Sequence, residues 1–142
     1  APSDDHLDRL HTVYGGPVVS ERDDRIAAII AIAPAFGVAA TDAGLGDIDI
    51  PMLFVEADTD EILHDHVNAA HFRKLLRGRA KFVKVKGAGH YSFLPKCTPY
   101  IAENFGHLCR DFGQDRDTIH RTVEQVIHRF LDKVKTGEIQ GR

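Results

Sequence analysis

Two short stretches hold the residue types that could run acid–base chemistry. One is Glu56-Ala57-Asp58-Thr59-Asp60-Glu61, directly after the apolar run Met52-Leu53-Phe54-Val55. The other is Gly87-Ala88-Gly89-His90-Tyr91, directly after the strand-like segment 80–85. In an open parallel sheet, ligands gather at the carboxyl ends of the strands. An acid after one strand and a histidine after the next are then separated by one strand spacing plus loop reach. A carboxylate so placed accepts a hydrogen bond from the imidazole, holds its tautomer and stabilises the imidazolium, the task of the acid in a nucleophile–His–acid triad. The glycines before His90 permit the sharp turn that presents the ring at the sheet edge.

The elements that must position these residues are legible from apolar patterning. Ile26-Ala27-Ala28-Ile29-Ile30-Ala31-Ile32-Ala33, ended by Pro34, reads as a strand buried on both faces, as in the interior of a helix-covered parallel sheet. Pro51 opens a second buried strand. Segment 61–76 reads as an amphipathic helix with Gly78 as its stop, and 80–85 as a third strand with lysines at 81, 84 and 86. Thr41 to Leu45 allows one helical turn. The last helix is the clearest: Ile119, Val123, Val126, Ile127, Phe130, Leu131 and Val134 recur at helical spacing. Asp115 or Asp117 caps it and Gly137 follows it. Residues 1–25 form an irregular or partly helical lead-in, with a short helix expected over 5–13 and a solvated charge run over 21–25.

This order predicts a single α/β domain over 1–142, three-layer α/β/α, with a parallel sheet of about three strands. The first strand, apolar on both faces, wants a neighbour on each side. The chain has too few elements to supply both, so the expected sheet is incomplete. A small three-stranded domain with an exposed edge is the competing architecture.

Composition excludes several classes. The 142 residues suffice for one domain, and 43% hydrophobic with 27% charged residues is ordinary globular composition. A net charge of −3 argues against a nucleic-acid surface. No apolar run approaches the roughly 20 residues that span a bilayer, and the polar start is not a signal peptide. The absence of an initial Met points to processing or to a piece of something longer. No G-x-G-x-x-G or P-loop occurs, so no nucleotide cofactor is expected. Among the nine histidines, His64 and His66 point to different faces of a helix and His120 and His128 lie too far apart, so no metal is expected either. Cys97 and Cys109, twelve positions apart, could close a short loop or sit as two buried free thiols. Spacing alone leaves both open.

Residues 26–34, then Ile50-Pro51-Met52-Leu53-Phe54-Val55-Glu56-Ala57-Asp58-Thr59-Asp60, then Val85-Lys86-Gly87-Ala88-Gly89-His90-Tyr91-Ser92-Phe93-Leu94, resemble the last three strands of an α/β-hydrolase, in its dienelactone-hydrolase-like branch. The resemblance covers roughly 22–135. It implies that these strands lie side by side at one end of a larger sheet, with the catalytic acid after the second and the catalytic histidine after the third. Carried over by position, Asp60 matches the acid and His90 the base. Ala57 stands where the family usually has Gly, which keeps Asp58 as the alternative acid. The stretch Ser92 to Asp111 resembles exported members, which implies a Cys97–Cys109 disulfide and a secreted or periplasmic protein. Two free thiols would instead fit the cytoplasm.

The departure from the family is the nucleophile. Of the three serines, Ser3, Ser20 and Ser92, none lies in a G-x-S-x-G elbow. The expectation that joins these facts is the C-terminal portion of a serine hydrolase acting on ester or lactone bonds. It needs no cofactor, and its nucleophile lies in other sequence. Its partners would be a small ester or lactone, the N-terminal half of the same hydrolase, or a second copy along an open sheet edge, with no nucleic acid and no membrane. The alternative is a non-catalytic hydrolase-like domain that serves as an interaction module.

Overall fold

A computed structural model describes residues 23–141; the expected helix at 5–13 and most of the lead-in lie outside the described residues. Three strands, β1 (Ile29–Ile32), β2 (Met52–Ala57) and β3 (Ala80–Val85), form one parallel sheet in the order β1-β2-β3. Helix α1 (Asp42–Gly46) precedes β2, α2 (Ala69–Leu76) links β2 to β3, and α3 (Pro99–Asn104) and α4 (Arg116–Lys135) follow β3. This is an α/β domain.

Period-two alternation sorts β2 between two cores. Leu53, Val55 and Ala57 join Val85, Ala88 and the α4 residues Ile119, Val123 and Phe130 on one face. Met52 and Phe54 pack with Leu76, Phe72, Phe82, Leu45 and Ile48 on the other. Helix α4 thus covers one face, α1 and α2 cover the other, and β2 is buried along its whole length. Phe54 lies between Phe72 and Phe82, with ring centroids 5.3 and 4.7 Å away.

The first strand is shorter than its apolar run and differently buried. Ile29–Ile32 pairs with Met52 to Val55 on one side only, and Ile32 is exposed. Its side chains do alternate between both cores, Ala28 and Ile30 to one and Ile29 and Ala31 to the other. Full burial fails because nothing among the described residues pairs with its outer edge.

The predicted helix over 61–76 forms only from Ala69. Asn68 breaks the run, with its backbone outside the helical region and its side chain on a carbonyl that the helix ladder would use. Asp60 Oδ1 accepts from the amides of Ile62 and Leu63, at 3.0 and 2.7 Å. Asn68 donates from Nδ2 to the His64 carbonyl and accepts the Gly37 amide on Oδ1, at 3.1 and 3.2 Å. That second bond, with a His71 Nε2 bond to the Ala40 carbonyl at 3.1 Å, ties the loop after β1 to the start of α2. A Cβ on Gly37 would meet the Val67 carbonyl at 2.5 Å, so this approach requires glycine.

Helix α4 begins as its sequence predicts. Asp115 is the cap: Oδ1 accepts the Thr118 amide and Oδ2 the Thr118 hydroxyl, at 3.1 and 2.7 Å. Those bonds hold the Asp115 carboxyl below its usual value. Gly137, in the left-handed region, follows its end.

Glu56 is the costly residue of β2. Buried within a strand, it is compensated by Arg73 from α2, whose Nη2 donates to both carboxylate oxygens at 2.7 and 2.9 Å. The same guanidinium lies 4.7 Å from the Phe82 ring. Arg73→Ala strands a buried carboxylate. The expected loss of unfolding free energy is about 2–3 kcal/mol, below the range for a fully buried pair because the guanidinium is half in water. Urea denaturation checks it, with Arg73→Lys recovering the charge but not the stacking.

Candidate active site

The carboxyl ends of β2 and β3 lie side by side because the register pairs Ala57 with Val85. The loops leaving them are stitched together. The Asp58 amide donates to the Val85 carbonyl and the Thr59 amide to the Ala88 carbonyl, at 3.2 and 2.9 Å. The turn after β3 reverses through Gly87, whose φ of +71° suits glycine. Gly89 is different. Its φ of −94° is open to any residue, but a Cβ there would meet the Phe112 ring at 2.3 Å and Glu61 Oε2 at 2.8 Å. Of the two glycines before His90, one is needed for conformation and the other for space.

His90 and Asp60 meet in this frame. His90 Nδ1 lies 3.1 Å from Asp60 Oδ2, and both side chains are mostly buried. Asp60 is itself held, since its other oxygen takes the Ile62 and Leu63 amides. A carboxylate on Nδ1 sets the neutral ring with its proton there and leaves Nε2 as the basic nitrogen. Among the described residues no group hydrogen-bonds Nε2. Asp58, the alternative acid, does not reach the ring. Its Oδ2 accepts the Gly87 amide at 3.4 Å, so it braces the turn.

Beyond the pair, the Tyr91 ring stands edge-on to His90 with centroids 5.0 Å apart, and His107 stands edge-on to Tyr91 at 6.0 Å. His107 sits in the loop closed by the Cys97–Cys109 disulfide. That loop also hangs on Arg116, buried at the start of α4. Its guanidinium donates to the carbonyls of Leu94, Pro95 and Leu108, and its Nε lies 3.6 Å from Asp111 Oδ1. His120 Nε2 lies 3.1 Å from the carbonyls of both Ser92 and Leu94. Sequence reading passed over Arg116, which looks like one more charge on a solvated helix. No local signal distinguishes it, because its partners are backbone carbonyls up to 22 positions away.

Ser92 is fully buried, with its Oγ accepting the Gly89 amide at 2.9 Å. It shapes the turn and is not presented for reaction. Ser3 and Ser20 lie outside the described residues. Both described cysteines are consumed by the disulfide. A cleft of about 120 Å³ opens beside Asp60 at the ends of β1 and β2, lined by Pro34, Ala57, Asp58, Leu63 and Lys84 among others. Among the described residues no helix is long and apolar enough to cross a membrane.

Comparison with known proteins finds no matching family model, no matching curated protein and no matching solved structure.

The disulfide closes a short loop that carries α3 and His107. Replacing Cys97 and Cys109 by serine is expected to cost about 3 kcal/mol in the chain-entropy account. Thermal unfolding should show the loss, and reductant should lower the melting temperature of the parent chain but not of the double variant.

Proposed function

We propose that this chain carries the base and the orienting acid of a serine hydrolase of the α/β-hydrolase type, acting on ester or lactone bonds. The observation that carries the reading is the Asp60–His90 hydrogen bond at the ends of two neighbouring parallel strands. In that mechanism His90 Nε2 takes the proton of an attacking serine hydroxyl. The serine oxygen forms the acyl bond, and the imidazolium returns the proton to the leaving alkoxide. Water repeats the cycle on the acyl-enzyme. Asp60 holds the ring and stabilises its positive charge without taking the proton.

The nucleophile would come from sequence other than these 142 residues, since none of their serines lies in a G-x-S-x-G elbow. The two sheet edges support that assignment. Edge strand β3 carries exposed lysines at 81 and 84, the usual protection of a free edge. Edge strand β1 reads Ile-Ile-Ala-Ile, with no charge and with Ile32 exposed. An unguarded apolar edge suits a further strand of the same sheet, and the N-terminal half of the hydrolase would supply it. The disulfide fits an oxidising compartment and so a secreted or periplasmic setting.

The test is hydrolysis of p-nitrophenyl butyrate by the 142-residue chain, alone and after addition of a segment bearing a G-x-S-x-G serine. The chain alone should show no turnover above buffer. The completed enzyme should lose on the order of 10⁴-fold in kcat with Asp60→Asn and as much or more with His90→Ala, and far less with Asp58→Asn. Turnover that His90→Ala leaves unchanged would overturn the reading.

A further inference from the structure

Asp60 is followed by a second carboxylate, Glu61, which reaches the same histidine by another route. Glu61 Oε2 accepts the backbone amide of His90 at 2.9 Å. The four successive amides of the turn all have partners. Gly87 donates to Asp58, Ala88 to the Val85 carbonyl, Gly89 to Ser92 Oγ and His90 to Glu61. Three of these bonds shape the turn. The fourth acts on the residue that bears the ring. His90 is therefore gripped at two points by adjacent residues of the β2 loop, the amide by Glu61 and Nδ1 by Asp60.

The grip depends on the missing side chain of Gly89. A Cβ there would lie 2.8 Å from Glu61 Oε2 and still closer to the Phe112 ring. The carboxylate thus passes directly against the backbone that leads into His90. It sets where Cα of His90 stands, and hence whether Nδ1 comes within reach of Asp60 Oδ2.

We propose that Glu61 is a positioning residue for His90, holding its backbone so that the imidazole presents Nδ1 to Asp60 and Nε2 outward. The proposal rests on the Asp60–His90 reading above and adds to it the residue that makes the alignment hold.

The experiment is ¹⁵N NMR of the His90 ring in the 142-residue chain at neutral pH, which reports the share of the Nδ1–H tautomer. Asp60→Asn, Glu61→Asp and Glu61→Gln are compared, with circular dichroism to confirm folding. Glu61→Gln keeps a side-chain acceptor at the same reach and should keep the parent share. Glu61→Asp keeps the charge but is one methylene short, and should lower the share about two-fold or more as the ring loses its alignment. A parent-like share in folded Glu61→Asp, with a changed share in Asp60→Asn, would overturn the role of Glu61 and leave the Asp60–His90 pair standing. A parent share insensitive to Asp60→Asn would overturn the pair, and the proposal with it. A merely structural role for Glu61 would change stability without moving the tautomer.

Discussion

Two parallel strands that pair Ala57 with Val85 deliver their following loops to one end of the sheet, one strand spacing apart. The candidate site depends on that placement. Had the strands run antiparallel, the acid loop and the histidine loop would lie at opposite ends of the sheet. The parallel arrangement is in turn held by the two cores: β2 places alternate side chains against α4 and against α1 and α2. A slip of one residue in β2 would turn Leu53 and Val55 away from α4 and break both cores together. The register that brings Asp60 to His90 is therefore protected by the packing of the whole domain.

The elements were legible where apolar runs were bounded by strong punctuation. Pro51 and the run after it located β2, and segment 80–85 coincides with β3. The 3.6-residue period located α4, and Asp115 its cap. The order of acid loop and histidine loop, and the acid that meets the ring, followed from those elements and from the hydrolase resemblance. What was not legible involves side chains whose hydrogen-bond partners the apolar pattern does not mark. The α2 boundary shifted because the Asn68 side chain takes the His64 carbonyl that a helix would have used. Arg73 and Arg116 carry no mark in the apolar pattern, yet one neutralises a buried carboxylate and the other gathers the carbonyls of a loop. Pattern reading weighs residue type and period. It has no term for a guanidinium whose partners lie in other elements.

The unwinding before α2 links folding to the site. If Asp60 and its successors had continued into a helix, their carboxylates would be splayed by about 100° per residue around its axis. Only one of Asp60 and Glu61 could then face the β3 loop. As a loop, the segment lets both face it, and the amides of Ile62 and Leu63 that a helix would leave unpaired in its first turn are taken by Asp60 Oδ1. One aspartate thus holds two loop amides with one oxygen and meets His90 Nδ1 with the other.

Beyond His90, the chain builds a wall by three means: a covalent link from Cys97 to Cys109, the Arg116 guanidinium on the Leu94, Pro95 and Leu108 carbonyls, and His120 Nε2 against the carbonyls of Ser92 and, again, Leu94. All three anchor segment 92–109 to itself or to α4, and α4 is the helix whose apolar stripe covers β2 and β3. Tyr91 stands between the His90 ring and His107, a residue of that wall. Motion of the wall would reach the ring through two edge-on aromatic contacts, whereas motion of the β2 loop would reach it through two hydrogen bonds to carboxylates. Charge-assisted hydrogen bonds tolerate far less displacement than edge-on ring contacts do. The tighter hold on His90 is therefore the one from the β2 side.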